Sequence, residues 1–250
     1  YQVSFMVPTA ILAKQHYDFA KKILGDNIKI KILTSKTPYS DRKNIINDLM
    51  NNKINLLIGT HSLFQDKIKF KKLGLIIIDE QHKFGVKQRK KLSDKGGVNC
   101  DVLVMSATPI PRTMIMTAFG DMDKSIIRSK PRNRKDVITY SKPDNKINEI
   151  ILFIKKLIKI GEQIFWVCPL IEESKKLDHQ SSIKRYEILK KIFNKKVGLL
   201  HGSLKREEKD KILTDFLEKK IDILVSTTVI EVGIDFPNAS AIIIENANKF

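Results

Sequence analysis

The sequence predicts an α/β protein of two units, each a mostly parallel sheet flanked by helices. Three observations carry this prediction. Short β-branched runs alternate with amphipathic segments along all 250 residues. Most of those runs are continuously apolar, as strands buried on both faces of a parallel sheet require. One stretch, Ser129-Lys130-Pro131-Arg132-Asn133-Arg134-Lys135, has proline, charge and no apolar periodicity, and it interrupts the alternation.

Nine runs read as strands: residues 3–7, 28–33, 54–58, 75–78, 102–105, 163–167, 197–200, 221–225 and 241–244. Helical periodicity fills the intervals at 9–24, 40–50, 109–119, 146–160, 183–193 and 205–217. Ser40 and Ser203 are the expected caps of the helices that follow them. Strand–helix repetition of this kind stacks in α/β layers. No repeat of ~20–50 residues divides the chain into smaller modules. The interruption separates a first unit at 1–130 from a second at 146–250, with 131–145 as linker.

Composition narrows the classes of function. Hydrophobic residues make up 42% and charged residues 30%, which suits a packed core and not a disordered chain. No apolar run approaches the ~18–20 residues of a membrane span. The first residues lack the charged-then-apolar pattern of a secretion signal. Cys100 and Cys168 lie far apart and outside any C-x-x-C, against a disulfide scaffold or zinc ribbon and in keeping with a reducing compartment. The five histidines have no metal-ligand spacing. The formal charge of +18 suits a polyanionic partner such as nucleic acid. Only eight of the 46 basic residues are Arg, and an excess of Lys, Ile and Asn is also what an A+T-rich genome writes. The chain opens on Tyr1 and stops at Phe250, each close to an apolar run, and is expected to be an excised piece.

Three motifs carry chemistry. In Leu75-Ile76-Ile77-Ile78-Asp79-Glu80-Gln81-His82 a buried run ends in two acids, at the strand edge where open α/β sheets bind ligands. In nucleotide hydrolysis the first acid can hold Mg²⁺ and the second can orient or deprotonate the attacking water. An acid after a strand can equally cap the next segment. Ser106-Ala107-Thr108-Pro109 follows a neighbouring run, and its hydroxyls can bond His82 or Gln81; it also reads as a strand-to-helix turn. In the second unit, Ser226-Thr227-Thr228-Val229-Ile230-Glu231-Val232-Gly233-Ile234-Asp235 follows a strand. Its threonines suit phosphate contacts, Gly233 permits close backbone approach, and Asp235 can accept from a ribose hydroxyl. The plainer reading is a Thr-rich turn with a buried Gly.

These motifs, in this order, resemble superfamily-2 helicases. Residues 79–89 and 105–113 resemble the RecG branched-DNA helicases, with further matches at 8–16, 59–65, 167–174, 200–203 and 228–233. The resemblance implies two RecA-like lobes, both incomplete, forming part of an ATP-dependent DNA helicase motor. Such motors remodel stalled forks and Holliday junctions in bacterial repair and recombination, in the cytoplasm. ATP and Mg²⁺ are the implied cofactors and forked or branched DNA the partner. Asp79 and Glu80 are then the catalytic Walker B pair, with Asp79 holding Mg²⁺ through water. Gln81, His82, Ser106 and Thr108 couple hydrolysis to movement. Gly233 and Asp235 face the nucleotide, and Thr9, Thr60, His61, His201, Thr227 and Thr228 follow the DNA. Lys83 stands where the family pattern has Arg, which keeps charge without a bidentate fork.

Nothing in the chain fits G-x-x-x-x-G-K-[ST], and the family's arginine-bearing segment is not among these residues. The 250 residues alone are therefore expected to be catalytically silent. Two other functions compete. The transcription-repair coupling translocase shares residues 107–113 but usually carries a second acid at the position of Gln81. A degenerate product that only binds nucleic acid through its charge is the other.

Overall fold

The structure is a computed structural model that describes residues 1–80, 84, 94–97, 99–107, 123–129, 136–169, 175–194, 196–227 and 234–249. Residues Tyr1–Ser106 and Gly161–Phe250 form one compact unit and Ala107–Ile160 a second.

The first unit contains two parallel sheets. Strands β1 (Gln2–Met6), β2 (Ile30–Leu33), β3 (Leu56–Gly59), β4 (Leu73–Ile78) and β5 (Asp101–Val104) form one sheet in the order β2-β3-β1-β4-β5. The other comprises β6 (Gln163–Val167), β7 (Val197–Leu200), β8 (Ile223–Ser226) and β9 (Ala239–Ile244), in the order β7-β8-β6-β9. Every strand pairing in both is parallel, so all carboxyl ends of a sheet share one edge. Each of the nine apolar runs coincides with one of these strands. Continuous burial holds for the interior strands β3 and β8. The edge strands β5 and β9 instead alternate, as strands do when one face of the sheet is less covered than the other.

Helices α1 (Ala10–Leu24) and α2 (Tyr39–Met50) belong with the first sheet, and α4 (Lys175–Phe193) and α5 (Arg206–Leu217) with the second. Thr9 caps α1, its hydroxyl accepting from the Leu12 amide at 3.2 Å. Gly25 ends it at φ 65°, a conformation that favours glycine. Two expected caps differ. The cap of α2 is Pro38, whose carbonyl accepts from the Arg42 amide, so Ser40 lies inside the first turn. The cap of α5 is Lys205, because the Glu208 carboxylate reaches back to its amide at 2.9 Å and starts the helix past Ser203. Helix α4 begins earlier than residue 183, since its first turns are polar and leave no apolar period to read. In the second unit, α3 (Ile147–Lys159) carries Glu149 between Lys142 and Lys146 on its exposed first turn. The helix expected at 109–119 and the segment 130–135 lie outside the described residues.

One apolar cluster lies under the first sheet around Met6, Leu33, Leu57, Leu63 and Ile76. A second joins Val7, Ile11, Leu12 and Ile58 to Leu213, Phe216 and Leu224 from the other sheet. Backbones approach closely at Gly59, where a Cβ would come within 2.4 Å of the Leu33 carbonyl oxygen.

The two sheets repeat one plan. Strand β1 sits between β3 and β4 as β6 sits between β8 and β9. Each central strand opens with a buried glutamine at a register shift. The Gln2 side-chain amide donates to the Leu49 and Ile54 carbonyls, both at 3.0 Å. That of Gln163 donates to Phe216 and Ile221, both at 2.6 Å. In each case one amide closes the gap between a helix end and the strand beyond it. Gln163→Leu should take this donor from the Ile221 carbonyl and leave the Phe216 carbonyl with only the Lys219 amide, at a cost of roughly 1–3 kcal/mol. Urea unfolding checks this; a cost under about 0.5 kcal/mol would show that those carbonyls find other donors.

Candidate nucleotide and nucleic-acid site

Strand β4 delivers its acids to the carboxyl edge of the first sheet. The register Ile78 beside Met6 places the Asp79 amide on the Met6 carbonyl at 2.9 Å, the last hydrogen bond before the chain leaves the sheet. Asp79 Oδ1 then accepts from the Glu80 amide at 2.9 Å. Asp79 Oδ2 lies 3.5 Å from His16 Nε2 on α1, and the His16 ring rests against Phe5 at 4.7 Å. The Asp79 side chain keeps 20% of its surface open. Glu80 has φ 49°, a left-handed backbone conformation that costs a residue with a Cβ on the order of 1–2 kcal/mol. Such strain persists where the surroundings hold it and collects at functional sites. It breaks the extended backbone directly after the strand.

Ser106 lies beside them. The Met105 amide donates to the Ile78 carbonyl at 2.8 Å, which brings the end of β5 alongside Asp79. Gln81, His82 and Thr108, expected to complete this cluster, lie outside the described residues, as do Thr228 and Gly233.

The remaining residues expected at the site fall on the same kind of edge. Thr9 follows β1, and its hydroxyl is engaged in the helix cap. Thr60 follows β3 and Thr227 follows β8, both buried. They hold matching stations: the Thr60 amide donates to the Leu33 carbonyl and the Thr227 amide to the Leu200 carbonyl, each at 3.3 Å. Among the described residues, the Thr227 hydroxyl has no hydrogen-bond partner. His61 is exposed and sits 5.2 Å from the Phe84 ring, whereas His201, after β7, is buried. Asp235 is exposed, and its carbonyl accepts from Gln15 on α1 at 3.0 Å.

Asp79 and Glu80 offer hard carboxylate oxygens at an open strand edge, the donor type that suits Mg²⁺. Among the described residues no cluster of three or more candidate ligands forms a protein cage. Mg²⁺ held by one or two carboxylates and the phosphates of a nucleotide needs none. Sequence reasoning missed His16 and Gln15, because their partners lie far along the chain and α1 reads locally as an ordinary amphipathic helix. Also among the described residues, no helix is long and apolar enough to cross a membrane.

Comparison with known proteins follows the two sheets. Residues 1–117 match the DEAD/DEAH box helicase family and residues 142–249 the helicase conserved C-terminal domain. The ATP-dependent DNA helicase RecG of Thermotoga maritima is 48% identical over the whole chain, and that of Bacillus subtilis 46%. The chain spans 32% and 37% of their respective lengths. A structure of RecG bound to a three-way DNA junction superposes with TM-score 0.81 at 44% identity, covering 100% of this chain and 32% of that one. Yeast Dbp5 bound to RNA and ADP BeF3 shares the fold at TM-score 0.66 and 20% identity, over 96% of this chain and 61% of that one. The two parallel sheets flanked by helices are thus RecA-like domains, and the chain is similar over its whole length to RecG helicases.

Proposed function

We propose that this chain is the motor region of an ATP-dependent DNA helicase that remodels branched DNA, stalled forks and Holliday junctions among them, in repair and recombination. The observation that carries this reading is the Asp79–Glu80 pair at the carboxyl edge of the first sheet. Similarity to RecG proteins over all of this chain supports it. The first lobe is assigned to residues 1–130 and the second to 146–250, with 131–145 between them. The working compartment is the bacterial cytoplasm.

Asp79 would hold Mg²⁺, and that ion would supply charge neutralisation at the nucleotide phosphates. Glu80, turned out of the strand by its left-handed backbone, orients the attacking water and takes its proton. Asp235 meets the ribose, and Gly233 lets the backbone approach the nucleotide. Gln81, His82, Ser106 and Thr108 relay the state of the site to the DNA track. That track uses Thr9, Thr60, His61, His201, Thr227 and Thr228, and the matched stations of Thr60 and Thr227 let each sheet hold the phosphate backbone in the same manner.

In the full-length protein, Glu80→Gln should leave ATP binding intact and lower DNA-stimulated turnover by ~10²–10⁴-fold. Near-wild-type turnover would remove Glu80 from that role. The 250-residue chain should bind DNA without sequence preference, its affinity falling with salt at a log–log slope of about −0.9 per phosphate contact. Salt-insensitive binding, or none at low salt, would assign the +18 charge to codon usage instead.

A further inference from the structure

The acid that ends β4 has a counterpart in the second sheet. Strand β9 pairs with β6 as β4 pairs with β1, and the Glu245 amide donates to the Val167 carbonyl at 3.0 Å as the Asp79 amide does to Met6. Both acids are reached by a side chain from the helix that follows the central strand. For Glu245 this is Arg185 on α4, which forms an ion pair with Oε1. The same oxygen accepts the Trp166 indole N–H at 2.6 Å, and the guanidinium lies over the Trp166 ring at 5.2 Å. Both contacts thus converge on one oxygen of Glu245.

Asp79 receives a weaker version of the same device. His16 on α1 reaches Oδ2 at 3.5 Å, long for a hydrogen bond, so its pull sets a direction without saturating the oxygen. Oδ1 is fixed by the Glu80 amide. The carboxylate is thus held at both oxygens and keeps capacity for a further partner. The adjacent Gln15 ties the same turn of α1 to the Asp235 carbonyl, so the helix carrying His16 is anchored on the far side of the site as well.

We propose that His16 is a positioning residue for the nucleotide-bound metal: it orients the Asp79 carboxylate, as Arg185 orients Glu245, but leaves it free to serve the ion's water shell. The proposal rests on the reading of Asp79 as the metal-side acid. Partners that orient metal-binding groups are commonly worth one to two orders of magnitude in metal affinity.

The test uses the full-length protein with ADP, with Mn²⁺ as the probe and free Mn²⁺ followed by electron paramagnetic resonance, so binding is read without turnover. His16→Phe keeps a ring against Phe5 and removes the N–H, while His16→Gln keeps a donor. His16→Phe should weaken Mn²⁺ binding about tenfold and raise the Mg²⁺ half-saturation of the ATPase by a similar factor, with DNA affinity held within about twofold. His16→Gln should recover most of the loss. Wild-type Mn²⁺ affinity in His16→Phe, or equal losses in both variants, would overturn the proposal. Asp79→Asn separates the two levels. If it weakens Mn²⁺ binding and His16→Phe does not, the positioning role alone fails. If Asp79→Asn binds Mn²⁺ as tightly as wild type, the assignment of Asp79 itself fails.

Discussion

The hydrogen bond from the Asp79 amide to the Met6 carbonyl is the last rung between β4 and β1, and it decides where a buried strand becomes a site. Ahead of it, Ile76 and Ile78 are buried in the sheet; past it, the chain turns through the left-handed backbone of Glu80. A slip of one residue in this register would move the Ile side chains to the opposite face and carry Asp79 into the sheet. The other contacts of the site inherit this placement. His16 reaches Asp79 from α1, which Thr9 starts directly after β1, and Ser106 stands alongside because β5 pairs in register with β4.

The second sheet repeats the plan with different chemistry. A glutamine closes the same gap at the start of each central strand, a threonine follows each penultimate strand, and an acid ends β4 and β9. Only the partners of the acids differ. Glu245 meets Trp166 and Arg185 through one oxygen, whereas Asp79 is met at Oδ1 by the Glu80 amide and at Oδ2, more distantly, by His16. On the proposed function, one backbone arrangement serves a structural role in one half and a chemical role in the other, and the difference lies in what the following helix presents.

Much of this was legible in the sequence because burial writes itself into composition. Runs such as Leu56-Leu57-Ile58 and Ile223-Leu224-Val225 must be strands between covered faces, and an acid directly after Ile78 must emerge at an edge. Helix starts were less legible: a serine near the start is a weaker signal than the Glu208 carboxylate that reaches back to Lys205, or than the proline at position 38. The left-handed Glu80 has no sequence signature, since glutamate seldom adopts that conformation. The partners of Gln163, His16 and Glu245 were illegible for another reason. Each is set by long-range strand order, which local periodicity does not encode.

The most direct measurement is anomalous diffraction from Mn²⁺ in crystals of the full-length protein with a non-hydrolysable ATP analogue. The account places the peak at the carboxyl edge of the first sheet, within about 5 Å of the Asp79 carboxylate, one water away from it. A nucleotide-bound peak beyond reach of Asp79 would contradict the assignment of this strand edge as the metal side of the site.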